Sequence, residues 1–201
     1  MSSLPVAAAV LAAGRGTRLG GDAAKPLLRW RGRPLVQWAV DAALASGLAP
    51  VIVVVGYRGD EVRSSIPVDP GVRVVENTDW DQGIASSLHA ALEILMPMDA
   101  VAAVCVGLAD QPLVGAEAYR RLAAHGGAAI VEARYGGEPG NPVKLARSLW
   151  PDAMQLRGDV GARALMRDHL VDVVECGDTG SAADIDTLED LDRMQRQEES
   201  P

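Results

Sequence analysis

Val6-Ala-Ala-Ala-Val-Leu-Ala-Ala-Gly14-Arg-Gly-Thr-Arg18-Leu-Gly-Gly21, with Lys25 just beyond, is the stretch on which the reading of this chain turns. An apolar run of strand length passes without a break into a glycine-rich loop that carries Arg15 and Arg18. In an open α/β sheet that order places main-chain N–H groups and positive charge at the carboxyl end of a strand, where phosphates bind. Gly14 and Gly16 let the backbone approach a polyphosphate closely. Arg18 offers a planar fork of donors, and Lys25 a movable point charge. The loop matches neither common phosphate fingerprint. Gly14-x-Gly16-x-x-Leu19 lacks the third glycine of the dinucleotide motif, and no Gly-Lys-Ser/Thr closes a Walker loop. An ordinary strand-to-helix turn is the competing reading, weakened by the concentration of cations.

Beyond this loop, strand-like and helix-like segments alternate. Strands are expected at Val6–Leu11, Val51–Val55, Val72–Val75, Val101–Val106 and Val171–Glu175. Helices are expected from Pro34 to Ala45, Ser86 to Met96, Ala116 to Ala124, Gly161 to His169 and Thr187 to Gln197, with one or two turns over Asp60–Ser65. The alternation breaks at 128–145, where short strands at Ala128–Ala133 and Val143–Leu145 flank the turn-rich Gly136-Gly-Glu-Pro-Gly140-Asn. This predicts an α/β fold, a three-layer Rossmann-like arrangement with a mostly parallel but mixed sheet. With 201 residues and no internal repeat or linker, residues 1–201 are expected to form one domain. Its nucleotide-binding half would be about 1–112 and its acceptor-binding half about 113–201.

Composition narrows the function. The net charge of −8 gives no electrostatic reason to bind nucleic acid, and no polybasic cluster suits an anionic membrane. Cys105 and Cys176 lack metal-ligand spacing, and Cys105 lies in an apolar run. The first apolar run is too short for a membrane span, so a cytoplasmic location is expected. The histidines, His89, His125 and His169, have no partner motif and read as structural.

Two acidic positions stand out. Asp110, in Ala109-Asp-Gln-Pro112, follows the fourth strand; a carboxylate beside a phosphate site suits Mg²⁺, although taken alone a turn-initiating Asp is the better explanation. Asp184 and Asp186 flank Ile185 before the last helix, where Thr187 and Asp190 form a plausible cap. Capping does not account for Asp186, a candidate second magnesium carboxylate. Gly83 and Ser87 open a helix and suit either a base and ribose or a plain cap. Gly158-Asp159-Val-Gly161-Ala-Arg163 opens another helix, with Arg163 able to reach an anion. No nucleophile elbow is present. A reaction whose nucleophile is already anionic, such as a phosphate, needs positioning and charge neutralisation rather than a protein nucleophile.

Taken in order, Leu11-Ala-Ala-Gly14-x-x-x-Arg18-Leu-Gly20, Lys25-x-Leu-Leu, Gly83-x-x-x-Ser87-Leu, Asp110-Gln-Pro112, Gly137-x-x-Gly140-x-Pro142-Val, Gly158-Asp-x-Gly161-Ala-Arg163 and Asp184-Ile-Asp186-Thr187-x-Glu-Asp-Leu191 resemble the MobA-like nucleotidyltransferases, and most of all their molybdenum cofactor cytidylyltransferase branch. The resemblance covers nearly the whole chain. It implies Mg²⁺-dependent transfer of CMP from CTP to the terminal phosphate of molybdopterin, with pyrophosphate leaving. By position, Leu11, Ala12, Ala13, Gly14 and Gly16 would cradle the nucleotide, Arg18 and Lys25 would hold its phosphates, and Gly83 and Ser87 would border base and ribose. Asp110 and Asp186 would hold the metal. Gly140, Asn141, Pro142, Gly158, Asp159, Gly161 and Arg163 would face the acceptor. The resemblance makes Arg18, Lys25 and Asp110 the catalytic set and leaves a molybdoenzyme as a candidate partner. The methyl of Ala13, where guanylyl-transferring relatives have glycine, favours a pyrimidine. The chain departs from the pattern at Leu19, usually Met, at Asn141, often His, and in a longer Gly20–Lys25 spacing. Guanylyl transfer, another phosphate acceptor, and a non-catalytic cofactor carrier stay open beside the cytidylyl reading.

Overall fold

The first strand, β1 (Val6–Ala12), alternates between two cores as strand geometry requires. Ala8, Val10 and Ala12 point to one face of the sheet, and Ala7, Ala9 and Leu11 to the other. Both sets are buried, so β1 belongs in the middle of a sheet covered on both sides. The computed structural model, which describes residues 5–16 and 24–198, places it there.

The remaining elements follow in chain order. Strands β2 (Arg29–Trp30) and β3 (Arg33–Pro34) form a small hairpin, and α1 (Leu35–Ala45) follows. Next come β4 (Val51–Val55), α2 (Gly59–Ser65), β5 (Val72–Glu76), α3 (Ile84–Leu95), β6 (Ala103–Leu108) and α4 (Ala116–Ala124). Strands β7 (Ile130–Tyr135) and β8 (Glu138–Ala146), α5 (Trp150–Ala153), β9 (Val171–Glu175) and α6 (Leu188–Glu198) complete the fold. The seven-stranded sheet has the order β5-β4-β1-β6-β8-β7-β9. Only β8 opposes its neighbours, β6 and β7; the other pairings are parallel. Helices α1, α2 and α4 cover the face of Val10, while α3 and α5 cover the face of Leu11. This is the expected three-layer α/β fold with a mostly parallel mixed sheet. No described helix is long and apolar enough to cross a membrane.

Two local expectations are corrected, and one element is added. The segment 136–141 is not a broad turn: the chain reverses at Gly136 and Gly137, both at positive φ, and β8 already begins at Glu138. Pairing of Glu138, Pro139 and Gly140 with β7, in line with the two-sided pairing of Val143–Leu145 further along β8, overrides the turn-forming composition of Glu138-Pro-Gly-Asn-Pro142. Within it Asn141 and Pro142 drop out of the β7 register as a bulge, which is where a strand tolerates proline. The segment expected to be helical from Gly161 to His169 winds as a 3₁₀ helix over Ala162–Arg167. The β2–β3 hairpin was not anticipated. Its turn, Arg31-Gly32, holds both residues at positive φ, the conformation of a tight hairpin. At the last helix the expected cap is present: the Asp190 amide donates to Thr187 Oγ1 at 3.1 Å, and Asp190 Oδ2 accepts from the Thr187 amide at 2.9 Å.

Candidate active site

The parallel strands β1 and β6 end side by side, and the Ala109 amide donates to the Leu11 carbonyl at 3.1 Å just past them. At this carboxyl edge lies a cleft of about 380 Å³. Leu11, Ala12, Ala13, Gly14 and Gly16 form one side of it. Lys25, Asp110 and Asp186 form its floor, and Gly83, Ser87 and Asp159 line it as well. Residues 85 or more positions apart thus meet on one cavity. Arg18 lies outside the described residues.

Asp186 reaches the cleft because Ile185, fully buried, anchors the segment before α6, and its amide donates to the Asp110 carbonyl at 3.0 Å. The two flanking acids then serve different partners. Asp184 Oδ1 accepts from Gln111 Nε2 at 2.7 Å, while Asp186 Oδ1 accepts from Lys25 Nζ. Lys25 also donates to Asp110 Oδ2, so its ammonium bridges the two carboxylates assigned to a metal. Burial acts against the Lys25 charge, but Asp110 and Asp186 outweigh it and hold its pKa above the ordinary lysine value. Asp184 is pushed above the usual carboxylate range, first by burial and then by the negative charge of Asp110.

The donors fit a hard divalent cation. Asp110 Oδ1 is buried and has no hydrogen-bond partner among the described residues, and a cation already sits between Asp110 and Asp186 in the form of the Lys25 ammonium. Among the described residues no cluster of three or more His, Cys, Asp or Glu side chains forms a complete cage. A divalent ion held by Asp110 and Asp186 would therefore draw its remaining ligands from phosphate and water, which is how magnesium is usually bound.

Another part of the cleft lining is built by close backbone approach. Gly83 stands at φ 98°, and a Cβ there would come within 2.3 Å of the Gly158 carbonyl carbon. Ser87 is buried, and its hydroxyl accepts from Asn77 Nδ2 at 3.1 Å. Asn77 Oδ1 in turn accepts from the Asp79 amide, fixing the turn that carries Trp80. Trp80 lines the cleft and meets Tyr57 edge-on at 5.1 Å. Gly56 makes room for it: a Cβ at that position would lie 2.5 Å from the Trp80 Cβ and 2.8 Å from the Ala13 Cβ. Sequence reasoning passed over Trp80. Its signal was a large aromatic three residues before a glycine that opens a helix, in a chain with only four Trp and no Phe.

Of the positions expected to face the acceptor, Asp159 lines the cleft, whereas Gly140, Asn141, Pro142, Gly158, Gly161 and Arg163 are not among its lining residues. Asn141 Nδ2 donates to Gln111 Oε1 at 3.0 Å, and Gln111 donates onward to Asp184, so the bulge is tied to the carboxylate floor. The Asn141–Pro142 bond is cis. At Gly140 a Cβ would strike the Tyr135 ring at 2.4 Å. Gly161 lies against Ile84, which lines the cleft. Arg163 pairs with Glu132 at 3.5 Å. Cys105 stays inert: burial pushes its thiol up to about 12.

A Rossmann-like sheet with a glycine loop, a lysine and two carboxylates at its carboxyl edge defines a nucleotidyltransferase class of site. The model of the MobA-like NTP transferase domain matches residues 8–173, and the chain belongs to that family. It is 34% identical to the nicotine blue oxidoreductase of Paenarthrobacter nicotinovorans over 94% of this chain and 96% of that protein. The crystal structure of Rv0371c from Mycobacterium tuberculosis H37Rv superposes with a TM-score of 0.83 at 29% identity, over 97% of this chain and 100% of that one. A complex of Rv0371c with manganese superposes with a TM-score of 0.76 at 27% identity, over 97% of this chain and all of that one.

Proposed function

We propose that this protein transfers CMP from CTP to the terminal phosphate of a molybdopterin-type cofactor. One observation carries the reading: the glycine loop, Lys25, Asp110 and Asp186 converge on a single cleft. Main-chain amides around Gly14 and Gly16 would bind the triphosphate. Asp110 and Asp186 would hold Mg²⁺, which when bound neutralises phosphate charge and favours one orientation of the triphosphate. Lys25, poised between the two acids, would turn its ammonium toward the phosphates as the nucleotide enters. An oxygen of the acceptor phosphate forms a bond to the α-phosphorus, the α–β P–O bond breaks, and its electron pair leaves with pyrophosphate. Arg18 and Lys25 would offset the charge gathering on that leaving group. The acceptor is already an anion at neutral pH, so no protein base is required.

The choice of CTP rests on Ala13. Ala13 and Trp80 both line the cleft, and a methyl at this position, where guanylyl-transferring relatives have glycine, would favour a pyrimidine over a purine. α-³²P-labelled CTP and GTP, each supplied with Mg²⁺ and molybdopterin, test this: label should pass to the cofactor from CTP at least several-fold faster. Equal or faster use of GTP contradicts the base preference, and label passing to another phosphate compound instead contradicts the acceptor.

A second reading has one observation in its favour. A relative that spans almost the whole chain is named an oxidoreductase. The same cleft would then hold a redox dinucleotide, and Asp110 and Asp186 would have no catalytic work. Oxidation of NADH or NADPH with a dye acceptor, unaffected by Asp110→Asn, would support this reading over nucleotidyl transfer.

A further inference from the structure

Among the described residues, Glu132 is the one carboxylate in the buried set, at 5% exposure. It stands on β7. Because β6 opposes β8 and β8 opposes β7, β7 runs parallel to β6, and its end lies at the same edge of the sheet as Asp110. Val131 and Ala133 pack into the Val10-side core, whereas Ile130 packs on the α3 side. By alternation Glu132 and Arg134 face the α3 side too. That face also receives Ala162 and Leu165, the neighbours of Arg163.

The two arginines divide the carboxylate between them. Arg134 Nε lies 3.3 Å from Glu132 Oε2, and Arg163 Nε lies 3.5 Å from Glu132 Oε1. Both approach the acid through Nε. One Nη of Arg134 donates to the Gly137 carbonyl at 3.3 Å. Both side chains stay about two-fifths exposed. A buried carboxylate is costly unless its charge is compensated, and here two guanidinium groups share one buried acid. A flexible arginine fixed at Nε presents its fork in one orientation, which suits bidentate contact with phosphate oxygens. The site adjoins the cleft: Gly161, two residues before Arg163, rests on Ile84 of the cleft wall, and the β8 bulge opposite Glu132 is linked through Asn141 and Gln111 to Asp184.

We propose that Glu132 is a positioning residue that holds Arg134 and Arg163 as a paired clamp for the phosphate monoester of the acceptor. The role of that phosphate as nucleophile rests on the nucleotidyl-transfer reading; the clamp itself is a binding claim. The test uses phenyl phosphate followed by ³¹P NMR, with and without saturating CTP and Mg²⁺ so that phosphate at the triphosphate position is displaced. CTP affinity is measured in parallel by calorimetry. Arg134→Gln, Arg163→Gln and Glu132→Gln should each weaken phenyl phosphate about ten-fold while CTP affinity stays within about two-fold. Arg134→Lys should recover part of the loss. Weakening by Glu132→Gln, with both arginines intact, is the signature of positioning. Unchanged phenyl phosphate affinity in folded Arg134→Gln and Arg163→Gln overturns the clamp, whatever Glu132→Gln does to folding; so does a parallel loss of CTP affinity. Wild-type protein that binds phenyl phosphate at the clamp but not CTP contradicts nucleotidyl transfer and leaves the clamp standing. CTP transfer with phosphate binding insensitive to all three variants contradicts the clamp alone.

Discussion

Lys25 concentrates the chemistry of the site in one ammonium. It bridges Asp110 and Asp186 and offsets one of their two charges, and it is the group best placed to exchange those acids for phosphate oxygens. Replacing it by Met removes the cation that competes with a metal for the same carboxylates. Lys25→Met should therefore bind Mn²⁺ in the absence of nucleotide several-fold more tightly than wild type, while nucleotidyl transfer falls roughly 10²–10³-fold. Calorimetry and turnover measured on the same preparation check both halves; weaker metal binding in the variant contradicts the bridging role. At Gly83 the backbone argument is steric. An alanine there meets the Gly158 main chain at 2.3 Å and adopts φ 98°, which L side chains rarely do. Gly83→Ala should lose on the order of 1–3 kcal/mol of stability from backbone strain alone and weaken CTP, as urea unfolding and nucleotide titration would show. The residues of this site were legible where they sat at ends of elements: the loop after Val6–Ala12 and Asp110 after β6 are local patterns of apolar run, glycine and acid. Gly56 was not legible, and Trp80 showed only as a scarce aromatic near a glycine, because what matters at both is a contact between loops that only the folded chain brings together.

Among the elements, the β7–β8 turn shows how a surface charge fixes backbone. Glu175, at the end of β9, accepts from the Gly136 amide at 2.8 Å, the Gly177 amide at 2.8 Å and the Gly137 amide at 3.2 Å. These amides, Gly136 first, hold its carboxyl below the ordinary glutamate value. A depressed folded pKa contributes stability above the unfolded value and loses it as pH falls through the folded one. Glu175→Gln should thus melt below wild type at pH 7, and the gap should close as pH drops below about 4.5, the ordinary glutamate range. A gap that is constant with pH would show that geometry rather than charge holds the turn. This region is also where the sequence was hardest to read. Glu138-Pro-Gly-Asn-Pro142 has the composition of a turn, and only the pairing of its first three residues with β7 makes it part of a strand. The two-residue strands of the β2–β3 hairpin are too short to show any period. The long apolar strands and helices were legible because their burial repeats every two or about 3.6 residues.

At the scale of the whole molecule, one sheet carries two opposed cores and brings its carboxyl edge to a single cleft. The α3-side core depends on side chains such as Leu92, which is fully buried against the sheet. Leu92→Ala should cost about 2–5 kcal/mol through lost contacts and a residual cavity, read as an unfolding midpoint shift in urea, with no new site created or removed. The sheet order places β1 beside β6, and that adjacency alone joins the amino-terminal loop to Asp110. Asp186 arrives from the far end of the chain only because Ile185 is locked beneath the Asp110 carbonyl. The central claim is that these distant pieces act on one triphosphate. Pyrophosphate release from CTP, measured with Mg²⁺ and molybdopterin for wild type, Asp110→Asn and Asp186→Asn, tests it most directly. Release by the wild type and a loss of roughly 10²-fold or more in each folded variant is the predicted result. Release that persists in both variants, or is absent from the wild type with every nucleoside triphosphate, would contradict it.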